Sequence, residues 1–121
     1  MRYLITGGAG FIGSFLCEQL IANGDEVLVL DNLSTGRYEN ISGLEEGGKL
    51  RFILGSVNDQ ELVTECIRQV DAVMHLASAV GVRLIIEEPV RTIETIVDGT
   101  DRVLRVCARY RRPVLLTSTS E

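Results

Sequence analysis

The chain has 121 residues, a formal charge of −5 and 45% hydrophobic residues. That length supports one domain with a core of its own, and that composition is too apolar for disorder. The acidic balance, without a basic stripe interleaved with aromatics, argues against nucleic acid as the main partner. No apolar run approaches the ~18 residues of a membrane span and no charged leader precedes the first one, so no membrane association is expected.

In chain order, Arg2–Thr6 reads as a short buried parallel strand. Residues 11–23 carry apolar positions at Ile12, Phe15, Leu16, Leu20 and Ile21, a helical stripe that Asn23-Gly24 stops. Glu26–Asp31 is a second strand. Asn32–Lys49 is a polar, glycine-rich loop with one short helix, and Leu50–Leu54 is a third strand. Asn58 and Glu61 stand three apart, as in a capping box, before a helix bearing Leu62, Val63, Cys66, Ile67 and Val70. Asp71–His75 is a fourth strand. Pro89 opens a long helix to about Tyr110, interrupted by Gly99, where close packing or a break is expected. Val114–Leu116 is a fifth strand. Alternating strands and helices predict an α/β fold, a doubly wound parallel sheet of the Rossmann type with five strands. The sequence stops at Glu121, where a crossover helix is the expected continuation.

The three cysteines (Cys17, Cys66, Cys107) lie singly in apolar patterns and read as buried free thiols of a reducing compartment, which makes the protein cytoplasmic. No cluster suggests a metal. The one histidine, His75, ends an apolar run and reads as structural. Arg102, Arg105, Arg109, Arg111 and Arg112 read as a solvated helix face favoured by the helix dipole.

The most informative segment is Gly8-Ala9-Gly10-Phe11-Ile12-Gly13, between the first strand and the first helix. It fits GxGxxG, and Gly7 makes it GxxGxxG as well. One glycine permits the tight turn, Gly10 lets a pyrophosphate approach the backbone, and Gly13 lets helix and strand pack closely. The phosphates then meet the unpaired amides and positive dipole end of the helix. Asp31, 18 positions after Gly13 at the end of the second strand, can accept hydrogen bonds from ribose hydroxyls, and its charge repels a 2′-phosphate. NAD is therefore expected rather than NADP. A P-loop is excluded, because Lys49 is the only lysine.

Thr6-Gly-Gly-Ala-Gly-Phe-Ile-Gly-Ser14, Asp31-Asn-Leu-Ser-Thr-Gly36, His75-Leu-Ala77, Gly99-Thr100 and Ser118-Thr-Ser-Glu121 together resemble the extended short-chain dehydrogenase/reductases, the nucleotide-sugar epimerases, dehydratases and decarboxylases. The resemblance runs through the whole chain in order. It implies that Gly7, Gly10, Phe11, Ile12 and Gly13 wrap the pyrophosphate. Asp31, Asn32, Ser34, Thr35 and Gly36 would hold the adenosine side. Val57 would flank the adenine, with Ser56 standing where the family commonly has an aspartate. Leu76, Ala77 and Ser78 would line the ribose and nicotinamide. Thr119 matches the family's catalytic Ser/Thr. The family's Asn-Val-x-Gly-Thr reads Ile96-Val97-Asp98-Gly99-Thr100 here.

By this resemblance the protein oxidises a sugar C4 hydroxyl by hydride transfer to NAD. Thr119-Ser120-Glu121, with Glu121 as a second catalytic candidate, favours a UDP-glucuronate decarboxylase-like activity. The alternatives are a UDP-glucose 4-epimerase, an NDP-sugar 4,6-dehydratase (the GDP-mannose type included), or a non-catalytic NAD-binding fragment. The family's Tyr-x-x-x-Lys pair and substrate domain are absent from residues 1–121, so the segment reads as the cofactor half of an enzyme. A UDP-sugar is the expected substrate. The full-length enzyme is expected to be a homodimer through the long helix, whose apolar surface should stand exposed here.

Overall fold

The computed structural model describes residues 1–78 and 82–118. Five parallel strands form one sheet in the order β3-β2-β1-β4-β5, where β1 is Arg2–Thr6, β2 Glu26–Asp31, β3 Leu50–Leu54, β4 Ala72–His75 and β5 Val114–Leu116. The helices are α1 (Phe11–Ala22), α2 (Ser42–Glu46), α3 (Gln60–Arg68), α4 (Val82–Glu87) and α5 (Pro89–Tyr110). This is the doubly wound arrangement expected from the alternation of apolar runs. The strand order reverses beside β1, between β2 and β4, and a crevice opens there at the carboxyl ends of the strands.

The pleat explains the two cores. Leu4, Leu28, Leu30 and Val73 point to one face, where they pack on Val63, Cys66 and Ile67 of α3 and Val103, Val106 and Cys107 of α5. Ile5, Val27 and Val29 point to the other, against Cys17 and Leu20 of α1 and Ile41. Successive strand residues serve opposite faces because the side-chain period is two. Each fully buried aliphatic side chain contributes about 1.5–3 kcal/mol. All three cysteines are free and buried, and burial pushes the Cys17 thiol up to about 12 and those of Cys66 and Cys107 up to about 11.

Several local expectations are corrected. The inward face of α1 is Gly13, Ser14, Cys17 and Leu20, so Ile12 and Phe15 stand exposed. Gly13 forces this rotation: a Cβ there would lie 2.4 Å from the Gly7 carbonyl oxygen. The cap of α3 is Asp59, whose carboxylate accepts the Leu62 amide at 3.1 Å, and not Asn58 with Glu61. Asn58 is engaged elsewhere, since its Oδ1 accepts from Arg102. Strand β4 starts at Ala72; Asp71 precedes it and meets β1 through its amide, which donates to the Arg2 carbonyl at 2.8 Å, and its carboxylate, which receives the Arg2 amide at 2.8 Å. The loop after β2 holds a 3-10 turn (Tyr38–Asn40) as well as α2, pinned by the fully buried Ile41. Helix α4 had no signal in the sequence.

Helix α5 is continuous through Gly99, which packs closely: a Cβ there would meet Val57 Cγ2 at 2.8 Å. Its Val90, Ile93 and Val97 are exposed, as expected for an unpartnered face. The arginine cluster is only partly a solvated face. Arg105 pairs with Asp101 at 2.8 Å on the surface. Arg102 reaches back to Val57 O, Asn58 Oδ1 and Gln60 Oε1 at 3.1–3.3 Å, tying α5 to the segment after β3.

Candidate functional site

The crevice is a cavity of about 1100 Å³ bordered by residues that follow all five strands. Its floor is the turn from β1 to α1. Gly7 adopts φ +76°, a conformation that favours glycine, and a Cβ on it would press within 3.0 Å of the Ala77 backbone. The exits of β1 and β4 are thus in contact. Gly10 differs, with φ −77° and ψ 179°, which any residue can adopt. Its missing Cβ meets protein only at the Gly7 oxygen, 3.3 Å away. Open space on that side faces the cavity, as close approach by a ligand requires. No side chain caps α1, and its first turn carries no acidic residue. The amides there stand ready for an anion, and the helix dipole favours one.

Asp31 is 8% exposed at the end of β2 and borders the same cavity. Its Oδ2 accepts the Ala9 amide at 3.0 Å and its Oδ1 the Leu33 amide at 2.8 Å. Each carboxylate oxygen keeps a second lone pair for a ligand hydroxyl. The loop that follows folds back over the turn. The Ala9 carbonyl accepts from the Arg37 amide at 3.1 Å and from Asn40 Nδ2 at 2.8 Å. Gly36 belongs to this contact: a Cβ there would lie 2.8 Å from the Ala9 carbonyl carbon and 3.1 Å from Asp31 Oδ2.

The structure brings Gly7, Gly10, Phe11, Ile12, Gly13, Asp31, Asn32, Ser34, Thr35, Ser56, Val57, Leu76, Ala77 and Ser78 to the cavity wall. Gly36 is the exception, because it packs behind the turn and is not on that wall. Thr119 and Glu121 lie outside the described residues. The Ser56 hydroxyl accepts the Asn58 amide at 3.0 Å, which tightens the bend at the exit of β3. Among the described residues no cluster of His, Cys, Asp and Glu is placed to hold a metal.

Three structural participants had no recognisable signal. Asn40 holds the Ala9 carbonyl from 31 residues away, and Arg102 holds the Val57 carbonyl from α5. Thr6, read as the strand's last residue and the first of the glycine motif but given no role of its own, turns its hydroxyl to the exit of β4, 3.1 Å from the amides of Leu76 and Ala77. Glu88 and Arg91, an ion pair at 3.0 Å, border the cavity at the start of α5.

The chain matches the model of the GDP-mannose 4,6 dehydratase family over residues 4–121. It is 39% identical over 120 residues to the UDP-N-acetyl-alpha-D-glucosaminuronate decarboxylase of Bacillus cytotoxicus and 40% identical over 121 residues to UDP-glucuronic acid decarboxylase 1 of Arabidopsis thaliana. These alignments cover 99% and 100% of this chain but 37% and 27% of those proteins. Among solved structures, a UDP-glucose 4-epimerase of Thermotoga maritima with UDP-glucose superposes with a TM-score of 0.87 at 34% identity, over 98% of this chain and 38% of that one. A dTDP-glucose 4,6-dehydratase of Streptomyces venezuelae with NAD bound gives 0.84 at 37% identity, over 93% and 37%. The family match spans residues 4–121 and the sheet superposes on these neighbours; the chain belongs to the GDP-mannose 4,6 dehydratase family of extended short-chain dehydrogenase/reductases.

Proposed function

We propose that the chain binds NAD in the crevice at the carboxyl ends of its strands and serves a nucleotide-sugar enzyme. The observation that carries this reading is the uncapped amino end of α1, facing the space beside Gly10, with the Asp31 carboxylate bordering the same cavity. The residues fit the cofactor. The amides at the start of α1 would hold the diphosphate. Asp31 would accept the ribose hydroxyls and repel a 2′-phosphate, which favours NAD over NADP. Ser56 and Val57 would flank the adenine, and Leu76, Ala77 and Ser78 the nicotinamide ribose. When bound, NAD supplies the acceptor for a hydride from C4 of the sugar. Thr119 would hold the sugar hydroxyl by hydrogen bonding, and Glu121 is the second catalytic candidate.

The favoured reaction is decarboxylation of a UDP-uronic acid. Its support is that two relatives at 39% and 40% identity are named as decarboxylases of such sugars. The exposed apolar face of α5 supports a homodimer, and three buried free thiols support a cytoplasmic setting. Titration calorimetry with NAD and NADP tests the cofactor reading, which predicts NAD to bind at least tenfold more tightly; equal affinities remove it. Incubation with NAD and UDP-glucuronate tests the reaction. Residues 1–121 alone should give no turnover, since they hold no Tyr-x-x-x-Lys pair; in a protein that joins this chain to such a segment, loss of CO₂ supports the decarboxylase reading, and an epimerised or dehydrated sugar supports the alternatives.

A further inference from the structure

Thr6 at the end of β1 is fully buried, and His75, its register partner at the end of β4, is 3% exposed. Thr6 Oγ1 lies 2.7 Å from His75 Nδ1, and His75 Nε2 lies 3.2 Å from Thr100 Oγ1 on α5. Two amides are aimed at the same Thr6 oxygen, those of Leu76 and Ala77, each at 3.1 Å. The Leu76 amide is shared with the Thr6 carbonyl, also at 3.1 Å. The Ala77 amide has the hydroxyl as its partner.

This count of donors points to one set of proton positions. A threonine hydroxyl has one proton and two lone pairs. The two amides use the lone pairs, so the hydroxyl proton is directed to His75 Nδ1. A neutral imidazole that accepts at Nδ1 carries its proton at Nε2, which then donates to Thr100 Oγ1. We infer that Thr6 and the Nε2-protonated His75 form a clasp that positions the Leu76–Ala77 backbone against the glycine turn, making His75 a positioning residue for the cofactor. The inference rests on the NAD reading given above.

The clasp is sensitive to acid. A protonated imidazole donates at both nitrogens, so Nδ1 no longer accepts the Thr6 proton. The hydroxyl proton must then turn away from the ring, and Nδ1–H competes with the Leu76 and Ala77 amides for the two lone pairs of Thr6 Oγ1, which loosens the clasp. Hydroxyls face the ring from β1 and α5, and on β5 the register partner is Leu116, with the Thr117 hydroxyl on the His75 carbonyl. Asp31, Glu88 and Arg91 share the cavity, but the first is held by amides and the other two by each other. Burial alone moves the imidazole, downward from 6.5. The neutral form therefore persists through the neutral range, and the clasp is lost as pH falls below it.

Because His75 is the only histidine, nitrogen-15 labelling of histidine reports on it without overlap. The expected spectrum is the neutral Nε2-protonated tautomer at pH 7.5, titrating below the ordinary imidazole range. The Nδ1-protonated tautomer overturns the clasp. NAD affinity of the same chain is then measured from pH 7.5 downward for wild type, His75→Asn and His75→Leu. For wild type the dissociation constant climbs toward ~tenfold per pH unit below the imidazole pKa, as the competent fraction falls. His75→Asn keeps an acceptor near the Nδ1 position that does not titrate, so it retains most of the affinity and loses the acid limb. His75→Leu leaves the Thr6 proton without an acceptor and weakens binding by about tenfold at pH 7.5. An acid limb that persists in His75→Asn, or unchanged affinity in His75→Leu, overturns the positioning role. Absence of NAD binding by wild type at pH 7.5 overturns the cofactor reading instead, while the tautomer still decides the clasp.

Discussion

Two glycines of the same turn should respond to alanine in opposite ways. At Gly13 the added Cβ would lie 2.4 Å from the Gly7 oxygen and 2.7 Å from Gly8 Cα. Both neighbours are backbone, so nothing flexible can give way. Overpacking of this kind costs about 1–3 kcal/mol or more, against which the better helix propensity of alanine returns about 1 kcal/mol. With both contacts to backbone the upper end of that cost applies, so Gly13→Ala should lose about 2 kcal/mol net and melt ~5–10 °C lower. At Gly10 the backbone suits any residue and the Cβ has one neighbour, at 3.3 Å. Gly10→Ala should match wild type in thermal stability or gain about 0.5 kcal/mol through the unfolded state. Its methyl group occupies the side from which a diphosphate approaches, so NAD should bind at least ~tenfold more weakly by calorimetry. A folded Gly10→Ala protein that binds NAD as wild type does refutes the placement of the phosphates on this turn. A Gly13→Ala protein as stable as wild type refutes the reading of the helix–strand contact.

Asp31→Asn should narrow the preference for NAD over NADP, measured by parallel titrations. It should also cost about 1–2 kcal/mol in denaturant unfolding, because the Ala9 and Leu33 amides lose a charged acceptor. Burial raises all three thiols, Cys17 to about 12. None should react with a thiol reagent at pH 8 in the native state, and all three should react in denaturant, a difference read by mass spectrometry. Ile67→Ala, in the fully buried face of α3, should cost about 2–5 kcal/mol in denaturant unfolding. Val97→Glu on the exposed face of α5 should abolish any concentration-dependent association seen by sedimentation and leave thermal stability near wild type.

The strands were legible because a parallel sheet covered on both faces demands continuous apolar runs, and Glu26–Asp31, Leu50–Leu54 and Val114–Leu116 emerge with the bounds that those runs set. The glycine turn was legible for a different reason. Close contacts that exclude a Cβ leave glycine as the residue that fits, so packing is written directly into residue type at Gly7 and Gly13. The inward face of α1 was misread, because that helix is apolar nearly all round and periodicity cannot choose between its sides. What chose was Gly13, the one position whose side chain could not exist.

Asn40, Arg102 and Thr6 were hidden because their contacts span 31, 45 and 69 residues or more. Each acts by offering one polar atom to a backbone group in another segment, and any exposed-looking asparagine, arginine or strand threonine reads the same until the fold selects its partner. The site is thus built in two layers of different legibility. Groups that would touch the ligand are constrained by what may not be there, a Cβ or a second charge, and such exclusions mark the sequence. Groups that hold those in place are constrained by reach, which depends on the finished sheet order. Substitution of Arg102 or Asn40 would therefore act through the placement of Val57 and Ala9, so variation at the two positions tunes the crevice without altering the motif that announces it.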